Sequence, residues 1–303
     1  MKTPCIRRNG LLILDKPEGL SSTQALGQAR FKLRACKGGH TGTLDPLATG
    51  VLVLCFGEAT KVASFLFDSD KRYRVTIRLG VATTTYDREG SVVSTAPVTV
   101  SDAAIKEALA RFVGTIEQVP PRFSAIKQAG RPFYERARAG DETLPPKRSV
   151  VVHDAQIRER VDCDVTLDIA CGKGVYIRSI AHDLGQALGC GGHVKTLRRM
   201  AVGGFSVEDA VALEDVGPET ALLGSDAALA GLPAIVLPSF LARAALRGQA
   251  VHVGGRSYEG FARLYDESSV FLGVGWSDAG GEIRPKRLWT LDASYVEPVG
   301  IPG

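Results

Sequence analysis

The stretch GHTGTLDPLATGVL, Gly39–Leu52, sets two glycines and two threonines ahead of an Asp-Pro pair and then turns apolar. Glycine admits backbone conformations and close approaches that other residues resist. Cys36–Gly50 therefore reads as an ordered loop able to bring backbone against a ligand, with the Asp45 carboxylate near its end. Behind it, Val51–Phe56 reads as a buried strand. Asp before Pro is also a common helix N-cap, with proline at the first helical position. Taken alone, Asp45 reads as a helix cap before it reads as a reacting group.

Outward from this loop the chain alternates between the two periodicities. Leu11–Leu14 reads as a buried strand ended by Lys16-Pro17 and Gly19, after which Ser21 or Ser22 caps a helix running toward Arg34. Glu58–Phe67 is helical in pattern. Tyr73, Val75, Ile77 and Leu79 alternate with Arg72, Arg74, Thr76 and Arg78, which predicts a two-sided strand. Ser101 precedes a helix to about Phe112, with Ile105, Leu109 and Phe112 on its apolar face. Val165–Cys171 alternates again, Gly172-Lys173-Gly174 turns, and Tyr176–Leu188 reads as a helix stopped by Gly189. Strands and helices mixed in this order predict an α+β domain around a mostly antiparallel central sheet. Composition shifts near Leu229–Pro238, and the short glycine-separated strands beyond it predict a small β-rich second domain. The division is residues 1–233 and 234–303.

The 303 residues are ample for two such domains, and 45% hydrophobic with 23% charged residues is ordinary for a globular protein. No apolar run approaches the roughly 20 residues of a membrane span, and the N-terminus lacks a secretory pattern, so the expected location is cytoplasmic. The six cysteines form no C-x-x-C pair and read as reduced, mostly buried thiols. A formal charge of +4 is mildly basic. Its distribution says more: Lys and Arg outnumber Asp and Glu between Arg122 and Arg160, and further cations gather at Lys71-Arg72-Arg74 and Lys195-Arg198-Arg199. Such patches suit an RNA backbone, and equally suit solvated strand edges.

Several chemistries are excluded. A P-loop ends in Gly-Lys-Ser/Thr; Lys37–Thr43 lacks that ending, and Gly189–Thr196 has Val194 where the glycine belongs. The five histidines are dispersed without an H-E-x-x-H pattern or a zinc shell. No G-x-S-x-G elbow supports a serine hydrolase. No metal and no cofactor is expected.

Gly39–Leu52 closely resembles the signature of the bacterial tRNA pseudouridine synthases that modify uridine 55 in the T-loop. The resemblance continues through GLLILDKPEGLSS (Gly10–Ser22), GEATK (Gly57–Lys61), DSDKRYR (Asp68–Arg74), GKGVYIR (Gly172–Arg178) and GCGGHVKTLRR (Gly189–Arg199), in order. It covers nearly the whole chain, and the C-terminal segment looks like the small RNA-binding, PUA-like domain of that family. The resemblance implies a stand-alone isomerase acting on the T-arm of tRNA, with no protein partner. Relatives of another kind are guided by a partner RNA and proteins, and a purely RNA-folding module is the alternative from a different class. A monomer is expected, since no apolar interface stripe remains once the core is assigned.

Carried over position by position, the resemblance makes Asp45 the essential carboxylate. Isomerisation breaks the N1–C1′ bond, turns the base and joins C5 to C1′, so nothing is oxidised and no group is imported. Asp45 would stabilise positive charge at the sugar, attack C1′ or remove the C2′ proton; the residues alone leave these open. Tyr73, otherwise a core tyrosine, is placed against the target uracil. Tyr176 is a pocket residue and Leu197 a wall of the base site. Arg178 is expected to pair with Asp45, holding it ionised with a lowered pKa, and Asp87 to join this arginine. The family has Thr-Asp-Thr where this chain has Thr83-Thr84-Thr85. His40 is implied to contact RNA where the target nucleotide is flipped out, a necessary movement because a stacked base hides its glycosidic bond. Lys16 and Lys61 are candidates for backbone or pocket contacts, beside surface or structural roles.

Overall fold

In the computed structural model, residues 5–124, 126–128, 130–254 and 258–289 are described. The last residues of the expected second domain, 290–303, lie outside them.

The first strand, β1 (Gly10–Lys16), leads to Ser21, whose side chain accepts the Gln24 amide while Gln24 reaches back to Ser21. This reciprocal capping box starts helix α1 (Ser22–Lys32) where the sequence places it. The expected loop at Cys36–Gly50 is partly strand: β2 (Gly38–Thr41) pairs with β3 (Ala48–Phe56). No helix follows Asp45. Its carbonyl oxygen accepts the Ala48 amide at 3.0 Å, so Asp45–Ala48 is a tight turn with proline at the second position, which proline's fixed φ favours. The helical pattern at Glu58–Phe67 resolves into a 3-10 turn, Gly57–Lys61, and a short helix α2 (Ala63–Phe67).

Then come β4 (Lys71–Leu79), the hairpin β5 (Val81–Thr83) and β6 (Val92–Thr95), and helix α3 (Asp102–Ala110) capped by Ser101. They are followed by β7 (Gly114–Gln118), the two-residue pair β8 (Lys127–Gln128) and β9 (Arg131–Pro132), and α4 (Phe133–Arg138). The long β10 (Arg148–Val161), β11 (Asp164–Cys171), α5 (Ile177–Ala187) and β12 (Gly192–Val202) complete the central framework. Short strands β13 (Phe205–Ser206) and β14 (Val211–Ala212) close it.

The main sheet runs β14-β1-β3-β12-β4-β11-β10-β7, with β2 on β3 and β13 on β12. It is mostly antiparallel; β1–β14 and β3–β12 are the parallel pairs. One face of β4 is buried through Val75, Ile77 and Leu79 against α5, in a core shared with α3 and α1. The other face carries ion pairs across strands, Arg74 with Asp168 at 2.8 Å and Lys195 with Asp164 at 2.6 Å. This is the buried-in, charged-out alternation of a strand with one solvated face, whereas β1 and β3 are buried on both faces. At the β3–β12 seam Gly50 has φ 97°, and a Cβ there would stand 2.2 Å from the Arg199 carbonyl oxygen, so only glycine fits.

A second sheet is ordered β15-β17-β18-β19-β16 from Ala234–Val236, Gly260–Tyr265, Phe271–Ser277, Glu282–Leu288 and Val251–His252, with α6 (Ser239–Leu246) beside it. Val62, Leu229, Phe271, Val274 and Trp289 pack as one apolar cluster where the two sheets meet. The chain is therefore α+β with a β-rich C-terminal part.

The thiol expectation fails at one pair. Cys5 and Cys36 are disulfide-bonded, with Cα atoms 5.0 Å apart. The Ile6 amide donates to Arg34 O and the Cys36 amide to Ile6 O, a local pairing that lays the N-terminal segment against the end of α1. Cys55, Cys171 and Cys190 are buried free thiols and Cys163 is half-buried. Among the described residues no helix is long and apolar enough to cross a membrane.

Candidate active site

The Gly42–Pro46 turn is fixed from three sides. Ser22 Oγ accepts the Leu44 amide at 2.8 Å and lies 3.1 Å from Leu44 O. Leu44 and Leu47 anchor in the core. Arg199 donates to Val51 O at 2.7 Å and to Gly42 O at 2.9 Å. Lys16, fully buried, donates to Leu20 O at 2.6 Å and Pro17 O at 2.8 Å, with Pro46 O at 3.4 Å. The Gly19 amide also bonds Pro46 O at 2.8 Å. A carboxylate on such a turn is held before any ligand arrives.

Asp45 faces a cavity of about 360 Å³, lined also by Tyr73, Tyr176, Arg178, Leu197 and Arg199. Its side chain is 36% exposed, enough to be reached from the cavity. Arg178, 5% exposed, lies with Nε 2.9 Å from Asp45 Oδ2 and Nη1 3.4 Å from Asp87 Oδ2. The same guanidinium donates to Phe123 O at 2.9 Å and Thr85 O at 3.2 Å. Arg178 sits in the first turn of α5, where the helix dipole disfavours a cation, so the two carboxylates and two carbonyls are what hold it there.

Arg178 acts on the Asp45 pKa in the expected direction, but the expected net lowering is corrected to a rise. Burial pushes this carboxyl above its ordinary range; Arg178 and Lys16 oppose the shift, while the Asp87 anion adds to it. One cation shared between two acids does not offset the partial loss of water around Asp45, whose side chain opens only toward the cavity. The neighbouring Lys16 ammonium is lowered by burial to about 8.

Asp87 is itself tightly held. Thr85 Oγ1 donates to Oδ1 at 2.5 Å, the Glu89 amide to Oδ1 at 3.1 Å, and Thr83 Oγ1 to the Asp87 carbonyl at 2.7 Å. Thr84, at the position of the family aspartate, accepts the Ser91 amide at 3.1 Å and so closes the β5–β6 turn.

Tyr73 comes from the buried face of β4 and is the register partner of Arg199 on β12. Its phenol is raised by burial, with the Arg199 guanidinium opposing. Tyr176 is set by a reciprocal pair, its amide to Gln118 Oε1 at 2.8 Å and Gln118 Nε2 to its carbonyl at 3.1 Å. Asp45, Tyr73, Tyr176, Arg178 and Leu197 are thus brought together, and Asp87 joins them through Arg178.

The other three sequence candidates lie elsewhere. His40, on β2, is outside the cavity lining; burial and Arg199 lower its imidazole, and its buried Nδ1 has no hydrogen-bond partner. Lys16 lies behind the loop as a clamp on carbonyls. Lys61 points away from the cavity, donating to Leu288 O at 2.7 Å, pairing with Glu58 and lying over the Trp289 ring at 5.9 Å. Arg199 lines the cavity as well, although its sequence context suggests only a member of a basic patch. Its signal was available: Leu197, Arg199 and Ala201 share the inward phase of one strand, where an arginine needs buried acceptors.

Solved structures similar to this chain define its fold. One, an H/ACA ribonucleoprotein bound to a substrate RNA containing 2′-deoxyuridine, aligns with a TM-score of 0.71 at 21% identity, covering 95% of this chain and 87% of that one. Another, a Cbf5-Nop10-Gar1 complex, aligns with a TM-score of 0.70 at 24% identity over 92% and 84%. Sequence comparison goes further. Residues 30–177 match the TruB family pseudouridylate synthase N-terminal domain, 178–239 the tRNA pseudouridylate synthase B C-terminal domain, and 233–289 the pseudouridine synthase II TruB C-terminal domain. A tRNA pseudouridine synthase B of Aromatoleum aromaticum is 46% identical over 286 residues, 92% of either chain. One of Pseudomonas aeruginosa is 44% identical over 295 residues, 93% of this chain and 97% of that protein. The chain belongs to the TruB family of pseudouridylate synthases.

Proposed function

We propose that this chain isomerises uridine 55 in the T-loop of tRNA to pseudouridine. The observation that carries the reading is the Asp45–Arg178–Asp87 network opening, beside Tyr73, on a cavity of about 360 Å³. The target nucleotide swings out of its stack, since the glycosidic bond is out of reach within it. Tyr73 lies against the uracil, Leu197 forms a wall, and Tyr176 closes the pocket beside them. Asp45, ionised and steered by Arg178, meets the sugar carbon at which positive charge develops as N1–C1′ breaks. The freed base stays in the pocket, is turned, and rejoins through C5; C5 gives up its proton to solvent while N1 takes one up, so the isomerisation releases no proton in net. Water is kept from the sugar while the base is detached.

In this reading residues 1–233 form the catalytic domain and 234–303 a PUA-like RNA-binding domain. His40 contacts the T-loop from β2, beside the cavity. The protein works as a cytoplasmic monomer without guide RNA or partner protein. Lys16 supports the Asp45 loop from behind, and Lys61 ties the two sheets together.

The test is tritium release from tRNA labelled at uridine C5. Wild type is expected to release it from unmodified T-arm substrate, and Asp45→Asn to bind the same RNA without release. No release by the wild type overturns the activity; full release by Asp45→Asn overturns the role of the carboxylate.

A further inference from the structure

Arg178 and His182 are one helical turn apart on α5 and project from the same face. Two consecutive residues of the β5–β6 turn meet them. Asp87 pairs with Arg178, and the Tyr86 ring stacks on His182 with centroids 3.9 Å apart and planes 13° from parallel. Tyr86 has φ 65°, in the left-handed region that a bulky side chain avoids. Such a conformation persists only where its surroundings impose it, and it is grounds for seeking a role. The backbone is held on β12, where the Val194 amide donates to Tyr86 O and the Arg88 amide to Val194 O, both at 2.9 Å. Tyr86 is thereby turned toward α5 while Thr85 O and the Asp87 carboxylate are aimed at the Arg178 guanidinium.

We propose that Tyr86 and His182 are positioning residues for the reaction: their stack holds the strained turn that presents Asp87 and Thr85 O to Arg178, and through Arg178 fixes the carboxylate of Asp45. This rests on the proposed role of Asp45. The His182 contact works through the flat ring and not through its nitrogens. Nδ1 is buried without a hydrogen-bond partner, and burial disfavours the protonated imidazole. Asp183 and Arg122 are the charged groups that influence Tyr86, and both lie outside the ring–ring contact. The arrangement is a clamp with two points on one helix. Asp87 on Arg178 carries the charge, and Tyr86 on His182 sets the distance.

A slackened clamp leaves RNA binding alone and loosens Arg178 from Asp45. The prediction for His182→Ala is a kcat roughly tenfold lower, with KM for tRNA within about twofold, as expected when a reacting group is displaced by a fraction of an ångström. Asp45 would lose part of the cation that opposes its upward shift, so the acid limb of the kcat profile moves to higher pH. His182→Phe supplies an equivalent flat ring and restores both kcat and the limb. Tyr86→Gly removes strain and ring together and behaves like His182→Ala, so it also decides the matter should His182→Ala not fold. Wild-type kcat and acid limb in His182→Ala or in Tyr86→Gly overturns the inference, as does His182→Phe failing to restore either. Asp45→Asn is assayed alongside. If it keeps full activity, the reading of the carboxylate fails; if it is inactive while the clamp variants match wild type, only the clamp is overturned.

Discussion

Tyr73 and Arg199 stand directly opposite each other on β4 and β12, so the aromatic floor of the cavity and the guanidinium that ties down its loop share one register position. Arg199 is 1% exposed and bonds the carbonyls of Val51 and Gly42. Replacing it with Met would leave both buried carbonyls without their donor, at about 1–3 kcal/mol each. Arg199→Met is therefore expected to lower unfolding free energy by about 2–6 kcal/mol and to reduce turnover by loosening Gly42–Asp45. Urea denaturation at an unchanged midpoint would show that the loop is held by something else.

Asp45→Asn separates activity from stability. The folded-state pKa of Asp45 is raised by burial. Its contribution to stability is thus fully present below the unfolded value and is lost as pH rises through the folded one. At neutral pH the ionised group weighs against folding, and asparagine does not. The variant is expected to melt at or above the wild-type temperature at pH 7 while turnover falls roughly a thousandfold or more. A melting point lower by several degrees, each kcal/mol being about 2–4 °C for a chain of this size, would mean that the Arg178 pairing dominates.

The same shift fixes the sign of two pH effects. Turnover should decline on the acid side with a midpoint above the ordinary Asp value, because Asp45 works ionised. Since the Asp87 anion pushes Asp45 upward, Asp87→Asn should move that midpoint to lower pH even as the maximal rate falls. A midpoint unmoved or displaced upward in single-turnover measurements would show that Asp87 acts on Asp45 only by holding Arg178.

The Cys5–Cys36 bond closes a segment of 31 residues, and both cysteines are exposed. A loop of that length implies about 2–4 kcal/mol of stabilisation. Dithiothreitol is expected to lower the melting temperature of the wild type and to leave a Cys5→Ser, Cys36→Ser double variant unaffected. Equal melting with and without reductant in the wild type would contradict it.

What was legible in the sequence follows the range of the forces concerned. The two-sided β4, helix α3 behind its Ser101 cap and the serine-capped start of α1 are written in neighbouring residues, and they form as read. The parallel seam of β3 with β12 joins Leu197 to Ala48 and Arg199 to Gly50, partners so distant in the chain that no local pattern announces them. That seam turns Arg199 from a surface cation into the anchor of the loop. Asp45-Pro46 misleads in the other direction, since a cap and a tight turn use the same dipeptide and only the following strand decides between them. Lys61 has the residue type of an RNA contact, yet the second sheet offers it the Leu288 carbonyl and the Trp289 ring. Cys5 and Cys36 carry no spacing signal; the Ile6–Ala35 bridge brings them together.

Helix α2 is only five residues long, yet its two phenylalanines face different parts of the protein. Phe65 meets the Phe261 ring edge-on at 5.3 Å in the second sheet, and Phe67 lines the cavity. Leu66 between them is buried. Three consecutive residues of one helix thus lead from the second sheet to the cavity. Under the proposed reading, an RNA lying along the second sheet would meet the cavity across the length of this one short helix, so the reach of α2 would act as a gauge for the substrate.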